Sequence, residues 1–335
     1  METKYNIRLT SSEIAPLWSG YLADSMANCV LKYFLNTVED TEIKPIIEYA
    51  LDLTGEHMEF KNRLFQNEKF PIPHAFTDED VNIHVPRLFS DGFMLLYIRQ
   101  MGISGVGTYA LALGSSARAD IREFFNHNLK TAAELLNKAT TLLESKGLFT
   151  RSPHIEYPEA VEYVQKEGWL NGILGDRRPL NAAEITHLYL NIATNTIGQA
   201  LMIGFSQVAK SEKVIDLIVR GRDIATKHIE VFSSLLRDDN LPAPVTWGAE
   251  VSKATESPFS DKLMLFHTMS LSAMGLGNYG LSLAANARRD LAANYLRLAA
   301  EVGTYVDDCA ELMIKNRWME KMPGAVERDA LIKDE

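Results

Sequence analysis

Apolar residues recur along this chain at helical spacing, and the pattern is written twice. Ile14, Leu17 and Tyr21 lie one helical turn apart, and Ile185, Leu188 and Ile192 repeat the stripe. Residues 9–73 realign on residues 180–244 at a constant lag of 171, and residues 89–120 on residues 259–290 at a lag of 170. Each unit reads as four helices. The first opens at Thr10-x-x-Glu13 or Asn181-x-x-Glu184, both capping boxes, and ends near Val38 or Ala209. The second covers about 42–67 and 212–237, with Ile43, Ile46, Ile47, Ala50 and Leu51 in its stripe. The third starts at Phe89-Ser90-Asp91 or Phe259-Ser260-Asp261. The fourth runs from about 115–118 to 146, or 286–288 to 314.

Between the second and third helices lie roughly twenty residues without clear periodicity, broken by Pro71 and Pro73 or Pro242 and Pro244. Loops of that length can travel the length of a bundle. They bring the third helix in beside the start of the second, giving two hairpins joined by a long crossover. The fold expected is all-α: two tandem ferritin-like four-helix bundles from an internal duplication. Residues 1–151 form the first bundle, 152–179 a linker with a short helix near 159–166, 180–322 the second bundle, and 323–335 a polar tail. Glycines in the third helices (Gly102, Gly105, Gly107; Gly275, Gly277, Gly280) cost helix propensity and point to close backbone packing, between the two bundles.

Composition agrees. At 335 residues the chain suits about two domains, and 46% hydrophobic with 23% charged residues is an ordinary globular balance. A net charge of −10 with no Lys/Arg-rich block argues against nucleic acid. The stretch 263–287 approaches membrane-spanning length, but His267, Asn278 and Asn286 within it favour a buried bundle helix. No apolar leader opens the chain. Cys29 and Cys309 stand at unrelated positions of the repeat without metal-ligand spacing, which suits a reducing cytoplasm.

Marker residues also recur: Asp52/Asp223, His57/His228, Glu59/Glu230, Tyr109/Tyr279, Arg118/Arg288 and Asp120/Asp290. The carboxylate-bridged dimetal pattern of ferritin-like bundles needs a Glu from two helices and Glu-x-x-His from two others. Glu184-Ile185-Thr186-His187 is the only Glu-x-x-His, and its counterpart reads Glu13-Ile14-Ala15-Pro16, so that signature is absent. Two readings of the recurring residues remain. In the first, Glu13 and Glu184 are caps, Asp120 and Asp290 complement helix dipoles, Arg118 and Arg288 pair with them, and the chain is structural. In the second, His57, Glu13 and Asp120, and in the other unit His228, Glu184, His187 and Asp290, gather at a bundle end and bind iron, manganese, zinc or a small ligand. Tyr33/Gly204 and Tyr97/His267 differ between the units, and His267 is expected as a hydrogen-bonded core residue.

Several strings, taken together, resemble a known family. They are Leu-Thr-Ser-Ser-Glu-Ile at 9–14, Phe-Pro-Ile-Pro at 70–73, Asp-Glu-Asp-Val at 78–81 and Pro-Arg-Leu-Phe-Ser-Asp at 86–91. In the second half come Gly-Asp-Arg-Arg-Pro-Leu-Asn at 175–181, Leu-Pro-Ala-Pro at 241–244 and Pro-Phe-Ser-Asp-Lys at 258–262. The chain thus resembles, over residues 9–323, the bacterial domain of unknown function 3231, common in spore-forming bacilli. The resemblance implies paired ferritin-like bundles. Members are sometimes labelled spore-coat-like, and no activity or catalytic residue comes with the family. The expectation is a structural or interaction protein of spore or stress physiology, cytoplasmic or spore-associated. Its partner is then another protein or a second copy, with no nucleic acid and no membrane. The alternative is the metal- or ligand-binding, redox-capable bundle.

Overall fold

Helix α1 spans Ser11–Thr37, α2 Lys44–Asn67, α3 Asp91–Ser115 and α4 Ala119–Ser145 in the computed structural model, which describes residues 7–172 and 177–328. The second repeat supplies α5 Ala182–Val208, α6 Glu212–Arg237, α7 Asp261–Ala285 and α8 Arg289–Lys315. No β-strand occurs among the described residues, and the fold is two tandem four-helix bundles. Three expectations lie outside the described residues: the leader-free start at 1–6, Gly175 and Asp176 of the family string, and the tail beyond 328.

The helices begin where their caps dictate. Thr10 with Glu13, and Asn181 with Glu184, form the two capping boxes. Ser90 and Ser260 accept the backbone N–H of Phe93 and Leu263 at 3.2 and 3.1 Å. The next residue fixes the topology. The Asp91 carboxylate receives the amides of Glu39 and Asp40 at 3.3 and 2.9 Å, in the turn leading into α2. Asp261 does the same for Lys210 and Ser211 at 3.0 and 2.8 Å. The second and third helices of each repeat therefore start side by side, and each crossover travels the full length of its bundle.

The crossovers are where the repeats join. Asn82 N–H donates to Pro258 O at 2.8 Å, and Ser260 N–H to Asp80 O at 3.0 Å. In mirror fashion, Ser252 N–H donates to Leu88 O at 2.8 Å, and Ser90 N–H to Glu250 O at 3.0 Å. These are the same two bonds exchanged by the repeat, so a pseudo-twofold axis passes between them. Beneath lies one apolar cluster drawn from both repeats, with Tyr33, Phe34 and Phe93 meeting Met202, Phe205 and Phe259. Smaller clusters fill the outer ends, around Leu17 and Phe125 in one bundle and around Leu188 and Tyr295 in the other.

Two expectations change. No helix forms over 159–166; a 3-10 turn follows at Glu167–Leu170. Tyr157, Val161 and Tyr163 are 94%, 87% and 85% exposed, and so short a segment with no face to bury does not hold a helix in water. Helix α7 is not buried on every face: Leu265 is inaccessible and Tyr279 and Ser282 in its second half are buried, whereas Leu281 is 67% exposed and its counterpart Leu111 77% exposed. Among the described residues no helix is long and apolar enough to cross a membrane.

The third-helix glycines serve packing inside the first bundle and not between bundles. A Cβ at Gly102 would stand 2.9 Å from the backbone of Leu136 in α4, while Gly107, Gly275, Gly277 and Gly280 face open space. Gly102→Ala is expected to destabilise the protein by about 1–3 kcal/mol through overpacking. Gly107→Ala should be neutral or stabilising by up to about 1 kcal/mol, from helix propensity alone. Urea unfolding of the two variants checks both signs; equal effects would remove the argument from close approach.

Candidate functional site

The expected end-clusters resolve into two separate arrangements in each repeat. At the bundle end, Glu13 is fully buried and its carboxylate is saturated. One oxygen accepts the amides of Ala117 and Arg118 at 2.9 and 2.7 Å, and the other accepts the Thr10 amide and hydroxyl at 2.8 and 2.9 Å. Burial alone would raise its pKa, but the amide donors more than offset this and hold it below the usual carboxylate value. Arg118 grips Asp120 through two nitrogens at 3.1 and 2.7 Å and reaches Glu68 at the end of α2.

The second repeat keeps the design and adds a cation. Glu184 accepts the Ala287 and Arg288 amides at 3.3 and 3.1 Å and is held bidentately by Arg178 at 2.8 Å on each oxygen. Burial acts to raise its pKa, and Arg178 with the amides brings it below normal. Arg178 in turn stacks on Trp169 at 3.8 Å. Arg288, almost wholly buried, clasps Asp290 at 3.1 and 2.7 Å. These residues sew the first helix to the turn before the fourth.

The histidines lie farther along, in the bundle interior. His57 is buried between Asp24 of α1, with Nδ1 at 3.5 Å, and Tyr109 of α3, at 3.3 Å. Lys61, one turn on and 1% exposed, places its ammonium 2.5 Å from Asp24. Burial would raise the Asp24 pKa; Lys61 first, then His57, pull it below normal. In the other bundle His228 Nδ1 meets Tyr279 Oη at 2.8 Å and Nε2 meets Glu301 at 3.1 Å. Burial lowers the His228 pKa, against the pull of Glu301. Lys227 neutralises Glu301 with bonds of 2.8 and 2.9 Å. His187 lies apart, its Nδ1 held by Ser282 at 3.2 Å. So the structure groups Glu13 with Asp120, and Glu184 with Asp290, but sets His57, His228 and His187 elsewhere. Among the described residues no group of three or more His, Cys, Asp or Glu is placed to hold a metal ion.

Sequence reading missed Asp24, Lys61, Glu301 and Asn195, whose side-chain amide donates to Tyr279 Oη at 3.0 Å. Lys61 aligns with Phe232, Asp24 with Asn195 and Glu301 with Thr131, so recurrence gave no signal for them. Asp52 and Asp223, which do recur, face solvent. On the pseudo-axis itself, Tyr97 Oη and His267 Nε2 share a buried hydrogen bond of 3.0 Å, as expected of a core histidine. Burial pushes the His267 pKa down to about 3. Cys29 and Cys309 are buried, and burial pushes their thiols up to about 12 and about 11.

Two tandem bundles, each with a buried His–Tyr pair and a carboxylate-sewn end, define a duplicated all-α protein fused through its crossovers. The chain belongs to the family described as "Protein of unknown function (DUF3231)", whose model matches residues 2–161 and again 169–331. No curated protein matches it. Among solved structures, a putative spore coat protein from Bacillus halodurans C-125 is similar, at 18% identity and a TM-score of 0.40. That match covers 45% of this chain and 98% of the other.

Removing the charge of Glu184 leaves the half-buried Arg178 guanidinium and three backbone amides without a charged acceptor. Glu184→Gln is expected to cost about 3–5 kcal/mol at pH 7, whereas Glu59→Gln, on an exposed side chain, should leave the unfolding midpoint unchanged. Equal midpoints for the two variants would show the end network to be dispensable. At the axis, His267 has a folded pKa below its ordinary 6.5, so its contribution is complete above pH 6.5 and is lost as pH falls toward about 3. Tyr97→Phe and His267→Phe should each cost about 1–3 kcal/mol by orphaning the partner. The double variant should cost less than their sum and lose stability less steeply between pH 6.5 and 4 than wild type. A double variant with an unchanged acid slope would assign the slope to other groups.

Proposed function

We propose that the protein works without catalysis, as a structural or interaction protein of spore or stress physiology, cytoplasmic or spore-associated. Its counterpart is another protein or a second copy of itself. The observation that carries this reading is the saturation of its carboxylates. Asp24 is neutralised by Lys61, Glu301 by Lys227 and Glu184 by Arg178, each at 2.8 Å or less. An internal ammonium or guanidinium stands where a bound cation would have to enter, and Glu13 accepts four donors that leave it no free lone pair in the plane. The setting in spore physiology rests on the family resemblance.

The alternative is a bundle that binds iron, manganese or zinc through the histidines, with redox capacity. One observation favours it: His57 Nε2 is buried and has no hydrogen-bond partner among the described residues. Elemental analysis of tag-free protein purified without chelator separates the two. The structural reading expects no stoichiometric metal and no uptake on titration with ferrous, manganous or zinc salts. About one equivalent or more per chain, lost in His57→Ala/His228→Ala, would overturn it in favour of the metal reading.

A further inference from the structure

The axis that relates the repeats also relates two surface clefts, and only one is filled. The open one lies between α3 of the first repeat and α5 of the second, floored by residues 148–152 and by the second crossover at Pro244–Trp247. Its volume is about 470 Å³, within the range of small-molecule sites. At the related place, Trp318, Met319 and Glu320 pack against Phe76 and Phe266 and leave about 40 Å³. There Glu320 accepts the amides of His74 and Ala75 at 2.9 and 2.6 Å, closing the gap with a carboxylate of the chain itself. The residue aligned with Glu320 in the open cleft is Thr150, which brings no carboxylate.

The lining of the open cleft is selective in charge. It contains Arg99, Arg151 and His187 and no aspartate or glutamate, in a chain of net charge −10. Arg99 is the fixed cation. Its Nε donates to Thr140 Oγ1 at 3.1 Å, and its guanidinium sits 5.0 Å from the Phe149 ring centroid. Among the described residues no carboxylate pairs with it, and its terminal nitrogens have no acceptor. The position aligned with Arg99 in the filled cleft is Met269. The apolar and aromatic side chains lining the same cleft include Phe149, Tyr189, Leu190, Trp247 and Leu281.

A half-buried guanidinium without a partner costs desolvation that a bound anion recovers, and Arg offers a carboxylate a bidentate fork. The apolar walls suit a hydrophobic body attached to that anion. We propose that this cleft binds a small amphiphilic carboxylate, an aryl- or alkyl-carboxylic acid, with its carboxylate on Arg99 and its apolar body against Phe149, Tyr189 and Trp247. The second repeat's copy of the site is closed by the chain's own Glu320. The site is separate from the His57 and His228 centres and does not depend on whether those hold metal.

Calorimetric titration of the full chain with 4-phenylbutyrate, alongside the uncharged 4-phenylbutanol, tests the assignment. The acid is expected to bind saturably with one site per chain and at least ten-fold more tightly than the alcohol. Arg99→Met, which installs the residue found at position 269, should weaken the acid at least ten-fold and leave the alcohol unchanged. Leu190→Glu, at a position 47% exposed and therefore tolerant in folding, should abolish acid binding by giving Arg99 an internal partner. The proposal is overturned by absence of saturable binding at millimolar acid, by equal affinity for acid and alcohol, or by undiminished binding in a folded Arg99→Met or Leu190→Glu chain.

Discussion

A backbone group removed from water must find a partner, and where the two crossovers meet, each supplies partners for the other. Each crossover leaves the helical ladder for some twenty residues and then runs beneath the other repeat's third helix. Its amides and carbonyls at Asp80, Asn82, Leu88 and Ser90 pair with Ser260, Pro258, Ser252 and Glu250, respectively. Because Ser90 and Ser260 are also the caps of α3 and α7, the exchange sets where those helices begin. Phe89 and Phe259, beside the caps, enter the common apolar cluster. Separating the repeats would expose that cluster and strand the crossover donors together, which makes the two bundles one cooperative object.

The helical order, the cap residues and the crossovers are legible in the sequence because they depend on local chemistry and on a period. Helix starts at Ser11 and Ala182 follow from Thr10 and Asn181, and the third helices follow from Ser90 and Ser260. The depth of burial is less legible. Helical spacing marks a face but does not say what covers it, so α7 reads as buried throughout although Leu281 lies in the open. Lys61 illustrates the limit in the other direction. A lysine on a polar stretch of α2 reads as solvated, and only Asp24, thirty-seven positions earlier in the chain, makes its burial tolerable. Arg99 is similar: its significance lies in an acid that is absent, which no local pattern records.

The recurring and the diverging residues divide by place. At the bundle ends the two repeats use the same carboxylate and the same arginine pair, because a helix start and a tight turn impose the same unmet donors in both. Inside the bundles the histidine and tyrosine recur while their neighbours change, from Asp24 and Lys61 in one to Asn195, Phe232 and Glu301 in the other. Each interior remains neutral by a different route, one with a buried ion pair and one with a pairing at the rim. Selection on packing alone tolerates such exchange so long as each buried charge keeps a counter-charge.

The Tyr97–His267 contact has a consequence for how such a molecule can be built. In an assembly of two identical chains, the residue on a twofold axis meets its own copy, and a tyrosine would face a tyrosine or a histidine a histidine. Tethering both halves in one polypeptide lifts that identity. A donor can then be set opposite a different acceptor, Tyr33 can occupy on one side the place that Gly204 leaves open to Phe89 on the other, and neither change has to be tolerated twice. The tether also makes association independent of protein concentration, so the unlike halves always meet each other and never a like half.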